Sequence, residues 1–254
     1  MKVGILGCAG RVGKILINEL QSGAWKGLTL AGGFARTPDE NADYFTTNDA
    51  KILFEQSDIL IDFTLPEATR THINMAAEMG KKLVIGTTGL TADDEAFIGK
   101  AAQKTAILYA ANMSLGVNLL LALVEQAAAS LDPSWDIEIF ESHHKHKIDA
   151  PSGTALAFGK AAAKGRKVNL DDVITPARHG NTGQRETGTI GFSVARGGDV
   201  VGEHTAFFYG EAERIELTHI ARDRKIFARG ALKAAQWLAE KPNGLYSMRD
   251  VLGV

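Results

Sequence analysis

The chain of 254 residues has only one cysteine, Cys8, so no internal disulfide can form and a stapled secreted scaffold is excluded. No stretch approaches the ~18 uninterrupted apolar residues of a membrane span. The opening segment, residues 1–10, is short, broken by glycine and followed by Arg11, which makes a poor signal peptide. Neither sign of charge dominates. With 28 basic and 30 acidic side chains the formal charge is -2, which supplies no global field for nucleic acid or an anionic membrane. These absences predict a cytoplasmic protein with no nucleic-acid or membrane partner, in which any anion site is built locally.

What is present is an ordinary globular composition, 45% apolar and 23% charged, enough for one large domain or two small ones with a real core. Glycine is in excess: 27 residues, about 11% against a typical ~7%. Four fall at Gly4, Gly7, Gly10 and Gly13, and another group lies between Gly180 and Gly210. The first group has the pattern of a ligand loop, the second that of turns in a small sheet.

Residues 2–6 form a short apolar run, residues 12–20 carry helical spacing through Val12, Leu16 and Leu20, and residues 28–33 read as the next strand. This strand, helix, strand unit continues with a strand at 59–63, a helix at 67–79 behind Pro66 and a strand at 83–85. A helix from Ala92 behind Thr91 and a strand at 106–109 complete the alternation. The pattern predicts a doubly wound parallel sheet, with ligands at the carboxyl ends of its strands: residues 7–13, 34–36, 86–89 and 110–113. From residue 114 the texture changes to a long apolar helix at 114–130, an alternating strand at 135–141, a helix at 154–164 and a polar loop at 169–186. Three strand-like runs follow at 189–196, 200–209 and 214–219, and the short turns between them predict antiparallel neighbours. A closing helix at 226–240, ended by Pro242 and Gly244, is expected to pack back on the first domain.

Gly7-Cys8-Ala9-Gly10-Arg11-Val12-Gly13 follows a strand and precedes a helix, so the backbone can approach a pyrophosphate at the positive helix end. A purely structural tight turn is the alternative. An NAD-selective site would put Asp or Glu at the end of the second strand, where this chain has Phe34-Ala35-Arg36-Thr37. Arg36 and Thr37, with Arg11, could instead hold a 2'-phosphate, which predicts NADPH over NADH. Cys8 is expected to be a small spacer in this loop, having no partner base nearby in sequence.

The densest chemistry lies at the end of the 135–141 strand, in Glu141-Ser142-His143-His144-Lys145-His146-Lys147-Ile148-Asp149. Strand alternation would put His143, Lys145 and Lys147 on one face and His144 and His146 on the other. Behind them Ser152-Gly153-Thr154 opens a helix with a hydroxyl cap and free N–H groups, an anion site. A metal site is disfavoured because adjacent strand histidines point apart and no matching carboxylate set accompanies them. A solvated charge run and a nucleic-acid patch are the other competitors. The stretch reads best as a site for a small polyanion, with His and Lys available to move protons.

These residues resemble the dihydrodipicolinate reductase family, which reduces 4-hydroxy-tetrahydrodipicolinate in diaminopimelate and lysine biosynthesis. The likeness runs essentially end to end, through residues 7–13, 61–64, 86–89, 110–114, 141–155, 196–204 and 219–230. It implies an N-terminal Rossmann-type doubly wound parallel sheet plus a C-terminal α+β domain with a mixed or antiparallel four-stranded sheet. The nucleotide domain would be residues 1–113 with 225–254, and the substrate and oligomerisation domain residues 114–224 of a cytoplasmic homotetramer. By the same resemblance, His143 and Lys147 are the proton-handling pair, with Lys147 the donor to substrate. His144, Ser152, Gly153 and Thr154 bind the dicarboxylate substrate, supported by Thr88 and the hinge residue Arg224. Gly7, Cys8, Ala9, Gly10, Arg11, Val12, Arg36, Gly86, Thr87, Thr88, Ala110, Ala111, Asn112 and Met113 are the implied cofactor contacts. Where some members carry glutamate before the arginine of the second-strand loop this chain has Ala35, and where some have phenylalanine it has Met113. Another two-domain dehydrogenase, acting on aspartate or homoserine, and a nucleotide sensor without catalysis are the competing functions; a sensor would be expected to have a degraded His/Lys cluster.

Overall fold

In the computed structural model, which describes residues 1–254, the apolar runs of the N-terminal half become parallel strands. The first unit comprises residues 1–115 and 225–253. It begins β1 (Lys2–Leu6), α1 (Arg11–Gln21), β2 (Thr29–Phe34), β3 (Thr46–Thr47), α2 (Ala50–Gln56) and β4 (Ile59–Asp62). Next come α3 (Pro66–Met79), β5 (Lys82–Ile85), α4 (Ala92–Ala101) and β6 (Ala106–Tyr109). Helix α5 (Leu115–Ser130) leads into the second unit, which holds β7 (Asp136–His143), α6 (Gly153–Gly165), α7 (Leu170–Val173) and β8 (Ile174–Thr175). It ends with β9 (Ile190–Arg196), β10 (Gly202–Tyr209) and β11 (Arg214–Ala221), and the chain re-enters the first unit as α8 (Lys225–Leu238), β12 (Gly244–Tyr246) and α9 (Met248–Leu252).

Strand β4 is buried at every position and β1 at all but its first, as expected of parallel strands covered by helices on both faces. On one face Leu16 and Leu20 of α1 pack with Leu232 and Leu238 of α8; on the other Phe54 of α2, Ile73 of α3 and Ile98 of α4 cluster. The sheet is wholly parallel in the order β12-β6-β5-β4-β1-β2-β3, so the winding reverses between β1 and β4. The carboxyl ends of those two strands flank the crevice where such sheets take ligands. The closing helix is followed by β12, which pairs with β6 and was not anticipated; three residues are too few to show a period. Lys82 on β5 donates to the carbonyls of Leu238, Ala239 and Lys241, tying the end of α8 to the sheet.

The second unit departs from expectation in two ways. Its sheet has five strands, not four, in the order β11-β10-β7-β9-β8, the extra one being the two-residue β8. The runs β9 and β10, expected to be antiparallel neighbours, lie on opposite sides of β7, with β9 parallel to it and β10 antiparallel. The helix α6 between β7 and β9 makes a parallel crossover, which claims one side of β7. Residues 197–201 then pass over the end of β7, where Gly197 N donates to His143 O (3.0 Å) and His144 N donates to Val200 O (2.8 Å). Along β7 burial alternates: Ile137, Ile139, Glu141 and His143 point inward, under α6. No helix is long and apolar enough to cross a membrane.

Candidate active site

In the first unit the turn after β1 is drawn onto β2, Gly7 N and Cys8 N both donating to Phe34 O (3.0 and 3.1 Å). A β-carbon at Gly13 would strike Gly7 O and come within 2.8 Å of Cys8 Cα, so glycine is required for α1 to start this close to the turn. Gly10, at the N-cap, offers no side-chain acceptor, and the first turn of α1 contains no acidic residue. Its amide donors and positive dipole end therefore face outward uncompensated, a site for an anion. A cavity of about 450 Å³ opens there, lined by Gly10, Arg11, Val12, Gly86, Thr87, Thr88, Ala111, Asn112 and Met113 among the residues expected to hold cofactor. Gly7, Cys8, Ala9 and Ala110 adjoin these in sequence without lining it, and Arg36 is exposed at the end of β2. Burial holds the Cys8 thiol above its ordinary range, which keeps it protonated and agrees with a spacer role.

Three further residues line this cavity and were not anticipated as contacts: Phe63, Thr64 and Phe227. Phe63 and Thr64 follow β4, where the winding reverses, and that strand order could not be read from local pattern. A buried chain of hydrogen bonds fixes the loop. Asp62 accepts from Thr64 N (2.8 Å) and Thr64 Oγ1 (2.6 Å), and its other oxygen lies 2.8 Å from His72 Nδ1. Thr64 Oγ1 reaches Thr69 Oγ1 (3.2 Å), which reaches Thr87 Oγ1 (2.8 Å). With its hydroxyl committed to Asp62, Thr64 must accept from Thr69, and Thr69 from Thr87. Two cavity walls, one after β4 and one after β5, are thereby locked together.

In the second unit the cluster after β7 is organised by a carboxylate. Glu141, fully buried, lies 2.5 Å from His143 Nδ1 and accepts from Arg196 Nη1 (2.7 Å), Arg196 Nη2 (2.8 Å) and Ser152 N (2.9 Å). Sheet register creates the group: His143 pairs with Arg196 of β9, and Glu141 pairs with His204 of β10. His204 Nε2 lies 2.9 Å from Ser152 Oγ, which also caps α6 by accepting from Ala155 N (3.2 Å). Strand alternation does not extend past His143. The chain turns, with Lys147 N donating to His144 O (3.1 Å), and the rings of His144 and His146 lie 6.3 Å apart. Lys147 Nζ donates to both oxygens of Asp149 (2.8 Å each), while Ile148 between them is fully solvated.

The electrostatics follow this packing. Burial pushes the Glu141 carboxyl up, but Arg196, His143 and the Ser152 amide outweigh it and hold the group below the usual carboxylate range. The hydrogen bonds from Lys147 similarly depress Asp149. His144 is lowered by burial first and then by its neighbours Arg224, His146, His143 and Lys147. His204 is pushed down to about 4, by burial first and then by His143. Gly153 is exposed, and no acidic residue lies in the first turn of α6, so its positive end is open. The expected residues His143, His144, Lys147, Ser152, Gly153, Thr154 and Arg224 all belong to this unit, whereas Thr88 lines the cavity of the other. Glu141, Arg196 and His204 were not anticipated as site residues.

A sequence model of the dihydrodipicolinate reductase N-terminus matches residues 1–113, and one of the C-terminus matches residues 116–252. The protein named 4-hydroxy-tetrahydrodipicolinate reductase from Zymomonas mobilis is 50% identical over 254 residues, covering 100% of this chain and 98% of that one. Its counterpart from Parvibaculum lavamentivorans is 51% identical over 268 residues, with coverage of 100% and 98%. Among solved structures, a dipicolinate-bound dihydrodipicolinate reductase from Paenisporosarcina sp. TG-14 superposes with a TM-score of 0.82 at 23% identity, covering 97% of each chain, and shows the shared fold.

Proposed function

The chain belongs to the dihydrodipicolinate reductase family, and from that premise we infer its activity and how its residues divide the work. It is an oxidoreductase that reduces 4-hydroxy-tetrahydrodipicolinate to tetrahydrodipicolinate with a nicotinamide nucleotide, a step of lysine and diaminopimelate biosynthesis. The observation that supports the division of labour is that one buried carboxylate, Glu141, joins His143 to the start of α6, lying 2.5 Å from His143 Nδ1 and accepting from Ser152 N (2.9 Å).

The first unit takes the nucleotide. Its residues fit one: Gly13 lets α1 begin against the turn, and the first turn of α1 has no acidic residue to repel a pyrophosphate. Bound there, the nucleotide would supply hydride to the cyclic conjugated imine that forms when the hydroxylated substrate loses water. Arg36, at the end of β2 where an NAD-selective site would carry a carboxylate, favours NADPH over NADH by offering its guanidinium to a 2'-phosphate. The second unit takes the dicarboxylate. Ser152, Gly153 and Thr154 hold one carboxylate at the start of α6, with His144 and Arg224 supplying further donors. Lys147, oriented by Asp149, delivers the proton that accompanies hydride, and His143 shares the proton handling.

The sheet face away from α6 carries partly exposed Phe207 and Tyr209, their rings stacked at 5.6 Å, and exposed Ile220. This face makes the contact of a homotetramer, which buries it. Reduced nicotinamide nucleotide is held in the cytoplasm, where we place the enzyme. A spectrophotometric assay fed by the preceding synthase, run in parallel with NADPH and NADH, tests the reading. Rapid oxidation of NADPH with the enzymatically generated imine, and no reduction of NADP+ by aspartate or homoserine, is expected; inertness toward the imine would overturn it.

A further inference from the structure

On the reading that His143 handles a proton, we propose that Glu141 is the positioning residue that locks His143 into its Nδ1–H tautomer and leaves Nε2 as the atom turned to the substrate. A carboxylate can only accept, so the 2.5 Å bond between Glu141 and His143 places its proton on Nδ1. Arg196 holds Glu141 in that role through both oxygens, Nη1 on Oε2 and Nη2 on Oε1. Glycine at position 202 leaves room beside Nε2, where a β-carbon would lie 3.0 Å from it. Because Oε1 also accepts from Ser152 N (2.9 Å), one buried carboxylate registers the proton carrier against the start of α6, where the substrate carboxylate is held. The site thus resembles other orienter–base pairs, in which a buried acid sets the tautomer without itself exchanging the proton.

The test is Glu141→Gln in the full-length protein. Ser152 N–H requires the amide oxygen in the position of Oε1, which places the amide NH2 against His143. The ring must then accept at Nδ1 and carry its proton on Nε2. Nitrogen NMR of histidine-labelled protein is expected to show Nδ1–H in the wild type and Nε2–H in the variant. The value of kcat is expected to fall about 10- to 100-fold, less than the ~10^2 to 10^4 that a proton-transfer group itself is worth, with NADPH affinity unchanged. Glu141→Asp, which keeps the charge, is expected to recover the Nδ1–H tautomer and part of kcat. An Nε2–H wild type, a Gln variant within about threefold of normal kcat, or an Asp variant no better than Gln would overturn the proposal. Were His143→Ala to turn over normally, the proton-handling role would fall instead, with the tautomer measurement still standing.

Discussion

His204 gives the structure an acid sensitivity whose size can be worked out. It sits on β10 between the rings of Phe158 (centroids 5.9 Å) and His143 (5.0 Å), bonded through Nε2 to Ser152 Oγ. Burial first, and then the nearby His143, His219 and Lys147, opposed by Glu141, push it down to about 4. In the unfolded chain it titrates near ~6.5. Between those values the unfolded state binds the extra proton, so stability is whole above pH ~6.5 and falls as pH drops toward ~4. At ~1.4 kcal/mol per pH unit the loss approaches about 3 kcal/mol at the acid end and about 2 kcal/mol by pH 5. His204→Gln keeps a hydrogen-bonding group beside Ser152 and removes the titration. Urea unfolding of both proteins at pH 7, 6 and 5 should show the wild type losing about 2 kcal/mol more than the variant over that range. Parallel acid slopes in the two proteins would refute the reasoning.

Three further outcomes are expected. Lys147→Ala should lower kcat/KM by ~10^2 to 10^4 while calorimetric NADPH binding stays intact, and near-normal turnover would remove Lys147 as the donor. Arg36→Ala should raise KM for NADPH about 10- to 100-fold, the worth of a charge-assisted hydrogen bond, and leave KM for NADH unchanged; equal effects on both would exclude a 2'-phosphate contact. Gly230→Ala puts a β-carbon into the carbonyl of Met113. Although alanine is intrinsically better than glycine inside a helix by ~1 kcal/mol, the variant should melt lower and bind NADPH more weakly, because Met113 lines the cavity; an unchanged melting temperature would show that α8 can shift at no cost.

The alternating strands and helices of the first unit that were legible are those whose signals are local. A short apolar run, a glycine turn and a helical period together specify a parallel crossover, and Thr91 announces α4 through a capping box with Asp94. Elements with little local signal escaped: β3 and β8 have two residues each and β12 three, and each exists because a neighbouring strand offers an unpaired edge. The misplaced pairing of β9 and β10 has the same origin. A short turn favours antiparallel adjacency, but whether another strand lies between is decided by the helical crossover that precedes it, through a contact remote in sequence.

The site divides along the same line. The glycine loop and residues 143–154 are contiguous, so their chemistry was visible. Glu141 contacts Arg196 across 55 residues, and Ser152 contacts His204 across 52, distances that only sheet register can close. One signal was nonetheless present. Ile137 and Ile139 mark the inward face of β7, and the same alternation carries Glu141 and His143 onto it. A carboxylate on a buried face is costly unless a cation answers it, and here that cation must come from the end of a strand paired with β7. Arg196, the last residue of the apolar run that forms β9, meets that requirement. An acid two residues before a histidine on an inward-facing strand thus already implied an orienter, and the pairing of β7 with β9 supplied its counterion.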